Sequence, residues 1–511
     1  MDPLTIDPRK NGDPITSTFI SMLYEGLTRL SPSGSPELAL AESCEVKEEG
    51  LVYEFTLREA YWSNGNPIVA KDFESSWKKS LDRSFASPSP QLFFILKNGE
   101  KAWKEECPLS EVGVFATSQK KLKVILEKPI PYFFSLTSFC NFFPIPASRE
   151  LKSWDLADSS KVPVSGPFRI VSWVKKNQIL LERNPLYWDV KNVSLDELTI
   201  YITNNPYSTA NLFNEGHIDL LSNILCSLPT EILSQYTKAG FTRLIPMGSS
   251  VFCTFNNTLF PFDNQLIRKA FSLSIHREAL VEEIDCSFEI AAKRFLPPPL
   301  AKGEIKGLIS HNEVLAKQCL KQGMAQLGVH FQENLDPFKL RMFFENMTLL
   351  HENTPIRRKA ALVLQKQWER ALGVQVQLDG VSYPTLLQKL YSGSYAMGLG
   401  SWFAQFMDPM DILERFSSKN IMKNYPRFEN REYADLVHNG ASSSNRERRI
   451  EALNRAEELL IEETPLTPLY HYHHLLIARP DLKGIIHLPN GALRFTSCPN
   501  TPSHELISLC S

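Results

Sequence analysis

Two periods of apolar residues interleave along this chain. From Pro14 to Leu30 they recur every three or four positions. That places Ile20, Leu23, Tyr24 and Leu27 on one face and predicts a helix ending near Gly26 or soon after. Val52 then stands opposite Tyr53, Phe55 and Leu57, a period of two, which predicts a strand. Asn64-Gly65 signals a turn. Phe73, Trp77 and Leu81 share a helix face at spacings of four. Gly166–Trp188 reads as a hairpin with Lys175-Lys176-Asn177 at its turn, followed by a strand at 198–203. Asp263 is the N-cap candidate of a helix striped by Ile267, Phe271 and Ile275. Thr354–Gly373 has Thr354 to cap it, Pro355 for its first turn and Gly373 to end it, with Ile356, Ala360, Leu364, Trp368 and Leu372 at spacings of four. An alternating strand follows at 374–381, then an amphipathic helix over Asn445–Glu463 and a strand over 465–478. This recurring order of strand, helix and strand argues an α/β class. Pro144–Pro146 and Pro297–Pro299 are linker or hinge candidates.

Composition narrows the picture. A length of 511 residues suggests about three domains, or two. Hydrophobic residues make up 43% and charged residues 22%, enough apolar surface for a large core. A net charge of −2 gives no basic footprint for nucleic acid. The run Arg446-Glu447-Arg448-Arg449 reads as a solvated helix face. No apolar run nears the roughly 18 residues of a membrane span. The opening "MDPLTIDPRKNGDP" lacks the apolar core of a signal peptide, so the chain is either cytosolic or the remainder after a leader is removed. Nine cysteines, an odd number without a CxxC pair, read as buried free thiols.

Candidate chemistry is sparse. Asp408, Asp411 and Glu414 recur every three residues and suit acid–base work, or else the acidic start of a helix after Pro409. His471 and His473 would share a strand face, as metal ligands do, but no third ligand stands at a recognisable spacing. No nucleophile elbow, dinucleotide fingerprint or phosphate loop is present. These residues favour a binding protein over an enzyme.

Longer blocks carry a resemblance. They are "IDPRKNGDPITSTFISMLYEGLTRL", "LAESCEVKEEGLVYEFTLREAYWSNGNPIVAKDFESSWKKSLD", "VSGPFRIVSWVKKNQILLERNPLYWD" and "FNNTLFPFDNQLIRKAFSLSIHREALV". In order and spacing they resemble the extracytoplasmic solute-binding proteins of peptide and nickel ABC importers, and the oligopeptide-binding members above all. The resemblance implies a two-lobed α/β fold with a ligand cleft between the lobes and a third α/β subdomain. Lobe I would comprise 1–25, 149–250 and 480–511, the subdomain 26–148, and lobe II 251–479. It implies capture of oligopeptides by a closing cleft, no catalysis, no cofactor and no metal. It also implies a monomer, delivery to an ABC permease and ATPase in the inner membrane, and no nucleic-acid partner. The location would be periplasmic, or anchored to the outer face of the bacterial inner membrane as a lipoprotein, the leader being absent. Relatives that take peptidoglycan-derived tripeptides, nickel chelates or haem supply the alternative ligands. A peptide hydrolase is the alternative from another class.

The stretch "GSWFAQFMDPMD" (400–411) resembles the family's cleft segment. There an aspartate three residues after the Trp pairs with the ligand's α-amino group. Here Gln405 stands at that position, Asp408-Pro409 keeps the later pair, and Leu399 stands where some relatives place a base for the ligand's carboxylate. Trp402, Phe403 and Phe406 would wall the cleft, and Asp408 or Asp13 would replace the missing aspartate. The resemblance also pairs a cysteine at the Cys253 position with one at Phe403, a bridge this chain cannot form, so Cys253 is expected as a buried free thiol. The "YHYHH" run matches a structural strand of the family.

Overall fold

The computed structural model describes residues 2–147, 160–203, 205–222, 228–284, 288–332, 335–443, 445–479, 482, 485–488, 493–495 and 506–510. The chain divides into two units. One comprises Met1–Ile245, Gln405–Met407 and His474–Ser511, the other Pro246–Ala404 and Asp408–His473. The backbone therefore passes from one to the other at 245/246, 404/405, 407/408 and 473/474. Neither proline-rich joint lies at these points: 144–146 is internal to the first unit and 297–299 to the second.

In the first unit, a four-stranded antiparallel sheet runs in the order Ala41–Lys47, Val52–Leu57, Lys121–Ile125, Val114–Ala116. The helix Ala70–Ser80 packs against it with Phe73 and Trp77 fully buried, as their spacing predicts. A second sheet places Leu506–Cys510 in parallel between Leu220–Ser222 and Glu197–Tyr201, and continues through the hairpin Gln178–Arg183 and Phe168–Val174. The hairpin turns at Lys176, which takes a positive φ of 60°.

The first helix is shorter than its periodicity suggests. It spans Pro14–Leu23, and Tyr24 is already extended. The amide of Glu25 goes to the Ser165 hydroxyl at 3.0 Å instead of continuing the ladder. Gly26 lies so close to the Thr137 carbonyl that a Cβ would stand 2.5 Å from it. Tertiary contact has overridden the local pattern.

In the second unit, Gln377–Val381, Thr348–Glu352 and Met397–Phe403 are parallel, and Met397–Phe403 pairs antiparallel with residues 249–255. Strand Leu466–Ala478 follows in the order. One face of this sheet carries Val251, Cys253, Leu349, Met397 and Leu399, which share a core with the helices Gln265–Leu273, Glu313–Gln326 and Pro355–Leu372. The Gln265–Leu273 helix is capped by Asn264, whose side chain accepts from the amides of Leu266 and Ile267, one residue later than the expected Asp263. Thr354 occupies the N-cap of Pro355–Leu372 without a capping bond from its hydroxyl, and Gly373 ends that helix at φ 72°. Ile356 falls off the buried stripe, at 42% exposed. The other sheet face carries Phe252, Thr254, Leu350 and Trp402, with Leu386, Leu390, Tyr395 and Tyr425 beside Leu350.

Candidate functional site

Strand alternation sorts the 397–403 residues. Met397 and Leu399 enter the core; Leu399 is 1% exposed. Its side chain thus presents no surface and acts by holding the strand. Gly398, Gly400 and Trp402 take the opposite face. Gly400 needs its missing side chain there, because a Cβ would stand 2.6 Å from the Phe252 ring. Trp402 stacks on that ring at 4.3 Å between centroids, with Phe295 at 5.7 Å, Phe416 at 6.1 Å and the Arg415 guanidinium at 6.0 Å. It is 5% exposed, and its indole N–H is buried without a hydrogen-bond partner among the described residues. Phe403 ends the strand, 41% exposed, stacked at 5.4 Å on Tyr472.

The chain then enters the first unit for three residues. Gln405 is half-buried there. Phe406 lies parallel on Tyr132, 5.1 Å apart at 7°. Back in the second unit, Asp408 is buried and doubly used: one oxygen accepts from the Met410 amide at 3.0 Å and from Arg449 at 2.6 Å. Asp411 is bound by Arg415 at 2.8 Å. These acids start the helix Met410–Leu413 and answer arginines. The charged run at 446–449 is thus only partly a solvated face, since Arg449 folds back onto Asp408 with its side chain 12% exposed.

Asp13 differs. One oxygen caps Pro14–Leu23 by accepting from the Thr16 amide at 2.9 Å. The other is buried with no hydrogen-bond partner among the described residues. Nearby, the Asn11 side chain donates to Ser17 at 2.8 Å and to the Cys140 sulfur at 3.0 Å. Burial pushes the Cys140 thiol up to about 12, and the Asp13 charge adds to the rise. The seven expected residues thus fall in two groups: Asp13, Gln405 and Phe406 in the first unit, and Leu399, Trp402, Phe403 and Asp408 in the second.

Cys253 is a fully buried free thiol. The bridge geometry carried over from the resemblance needs correction. Phe403 stands opposite Ser249, while Cys253 stands opposite Leu399, four positions along the ladder and facing the core. Cys253 and residue 403 are not partners in this register, whatever side chain position 403 carries.

The histidines are held by serines. His471 bonds the Ser250 hydroxyl at 2.7 Å, and His474 bonds Ser222 at 2.7 Å. Burial above all pushes His471 down to about 3, a hydrogen bond to the Arg294 backbone opposing it and the Arg294 and His473 charges adding to it. The His473 amide donates to Glu289 at 2.6 Å, and burial pushes that carboxyl up to about 8. Among the described residues no three His, Cys, Asp or Glu side chains group as metal ligands do.

Periodicity misses Arg357, which is buried and donates to the hydroxyls of Tyr472 at 2.8 Å and Tyr470 at 3.3 Å. Its only sequence signal is a cation one position after Ile356, next to the buried stripe. Lys423, half-buried near Arg415, also carries no signal.

This architecture is that of a bacterial solute-binding protein. Residues 35–424 match the model of the bacterial extracellular solute-binding proteins, family 5 Middle, and the chain belongs to that family. It is 31% identical over 500 residues to the oligopeptide-binding protein OppA of Bacillus subtilis, covering 97% of this chain and 90% of that one. It is 29% identical to the dipeptide-binding protein DppE of the same organism, covering 96% and 89%. A solved periplasmic oligopeptide-binding protein, OppAIV of Borrelia burgdorferi, superposes with a TM-score of 0.75 at 26% identity, covering 94% of this chain and 95% of that one. No helix among the described residues is long and apolar enough to cross a membrane.

Proposed function

We propose that this chain is the capturing component of an ABC importer, binding oligopeptides outside the cytoplasmic membrane and passing them to a permease driven by an ATPase. The observation that carries this is the near full-length relation to OppA of Bacillus subtilis, a protein named for oligopeptide binding. The chemistry fits. An extended peptide offers backbone donors and acceptors that any protein backbone can meet, and bridging waters tolerate varied side chains. No bond of the ligand is broken. Lobe I is taken as 1–25, 149–250 and 480–511, the subdomain as 26–148 and lobe II as 251–479; the crossings at 245/246 and 473/474 fall near the two limits of lobe II. The protein works as a monomer in the periplasm or at the outer face of the inner membrane.

The ligand's amino end is the specific point. Gln405 is neutral, and Asp408 already serves Arg449 and the Met410 amide. Asp13 keeps a buried oxygen free of hydrogen bonds among the described residues, which favours it as the ammonium's partner. A hydrogen bond to a charged group contributes about 1.5–3 kcal/mol.

Mass spectrometry of what co-purifies, followed by calorimetry with free and N-acetylated tripeptides, tests the reading. Co-purified peptides, and affinity lowered more by Asp13→Asn than by Gln405→Ala for the free peptide alone, are expected. Absence of any peptide, with no binding of a mixed peptide pool, refutes peptide capture. Cleavage products would make the protein a hydrolase.

A further inference from the structure

Within the second unit, two histidines from remote segments meet. His276 precedes the helix Arg277–Glu283, and His311 precedes Asn312, the cap of the helix Glu313–Gln326. Their ring centres lie 5.0 Å apart, with 50° between the planes. Both backbones are clamped. The His276 amide donates to Oε1 of Gln367 at 3.0 Å, and Nε2 of Gln367 donates to the His276 carbonyl at 3.2 Å. Beside His311, the Asn312 amide donates to the Leu273 carbonyl at 2.8 Å, and the Asn312 side chain accepts from the Leu315 amide at 2.9 Å. One short pattern occurs twice: His276-Arg277-Glu278 and His311-Asn312-Glu313. Each glutamate sits beside one nitrogen of its own histidine, Glu278 at 3.8 Å from Nδ1 of His276 and Glu313 at 3.9 Å from Nε2 of His311. The nitrogen of His311 left over, Nδ1, is buried with no hydrogen-bond partner among the described residues. Burial, then the neighbouring His276, holds His311 below its ordinary pKa, so the ring is neutral at neutral pH and keeps a lone pair to give.

We infer that His276 and His311 together bind one divalent ion of the zinc and copper class, through Nε2 of His276 and Nδ1 of His311. The spacing fits: two imidazoles that share an ion at about 2.0–2.1 Å per nitrogen, at a square or tetrahedral angle, put their ring centres roughly 4.5–5.2 Å apart. Each glutamate then accepts the N–H of the nitrogen not used, which fixes the tautomer and makes the ligand more basic. In His276 that tautomer gives up the bond Nδ1 now accepts from the Ala279 amide at 3.0 Å. Arg370 is the competing cation; it holds Glu313 at 2.9 Å from a side chain 71% exposed, which can swing away. Arg277 is turned to the Pro468 carbonyl at 2.7 Å and leaves the pair alone. No third His, Cys, Asp or Glu joins as a ligand among the described residues, so water completes the shell. The side chain of His276 is 44% exposed and that of His311 27%, which gives the ion its way in. Two protein ligands make a weaker site than the closed four-ligand kind. The inference does not rest on the peptide reading.

The test uses the full chain, freed of metal by dialysis against a chelator. Zinc chloride is titrated in by calorimetry at neutral pH. One saturable site is expected, tighter for copper than for zinc and absent for magnesium. His276→Asn, which keeps an oxygen to cap its helix, and His311→Gln should each weaken zinc by at least about tenfold. His438→Gln, an exposed histidine on another helix, should leave the affinity unchanged. A second readout follows the histidine ring protons by NMR in the wild-type chain. Zinc should shift the His276 and His311 resonances together, and the shift should vanish as pH falls through the imidazole range, where protons displace the ion. No saturable binding, a loss in only one of the two variants, an equal loss in His438→Gln, or shifts confined to other histidines overturns the inference. If either variant fails to fold, the wild-type NMR titration decides alone.

Discussion

The two faces of the second unit's sheet are made by alternate residues of the same strands, yet they are built by opposite rules. One face sends Val251, Cys253, Leu349, Met397 and Leu399 into a dry core with three helices. The other places Gly398, Gly400 and Trp402 beside Phe252 and Tyr425, with Arg415, Asp411 and Lys423 close by. The first gains stability from area removed from water, and the polar groups of Trp368 and Tyr470 in its core are hydrogen-bonded. The second spends part of that gain on bare glycines and on a buried Trp402 indole N–H with no acceptor among the described residues. A period of two thus separates a structural surface from a chemical one within seven residues.

The comparison breaks most readily on the closed face. Trp368 is fully buried against Phe271, 5.3 Å between rings, and its indole donates to the Phe271 carbonyl at 3.0 Å. Trp368→Ala should cost about 3–5 kcal/mol in urea unfolding. Ligand affinity of the folded variant should stay unchanged; an altered affinity would mean the two faces are coupled. Asp408→Ala, just beyond the strand, removes the acceptor of Arg449 and of the Met410 amide, and should cost roughly 2–3 kcal/mol. On the glycine face, Gly400→Ala drives a methyl into the Phe252 ring and should cost about 1–3 kcal/mol. It should also change Trp402 fluorescence, which Trp368→Ala should leave as it is once that residue's own emission is subtracted.

The smallest effect concerns pH. His471 bonds Ser250, two residues from Phe252 on the same side of its strand. Its folded pKa of about 3 lies below the ordinary 6.5, so between those values the unfolded chain binds a proton that the folded chain refuses. The stability tied to His471 is therefore complete above about pH 6.5 and lost as pH falls toward 3. Wild type should lose more stability than His471→Gln between pH 7 and about pH 5. Parallel losses would show that the imidazole is already solvated.

The closed face was legible from the chain because its residues repeat at 3.6 or 2. Trp368 and Phe271 sit on stripes that periodicity identifies, and the hairpin at 168–183 follows from its turn. The other face was legible only in part. Trp402 stands out as an aromatic, but glycines erase the alternation around it, and its neighbours Phe252, Phe295 and Arg415 come from remote segments that no local pattern joins. Arg449 shows the same limit. Its charged neighbours make it look solvated, and only the fold brings Asp408 to it. The early end of the first helix depends on Ser165 and Thr137, more than a hundred residues away.

Strand Leu506–Cys510 lies inside the second sheet of the first unit, with Glu197–Tyr201 on one side and Leu220–Ser222 on the other. On the ribosome those two neighbours emerge early, and every strand of the second unit is made before the strand that joins them. The unit begun first is therefore completed last, and until then two strand edges await a partner made hundreds of residues later. Such long-range parallel pairing is slow, and exposed edges invite wrong partners. During synthesis, the order in which residues are made and the order in which units are completed run in opposite directions.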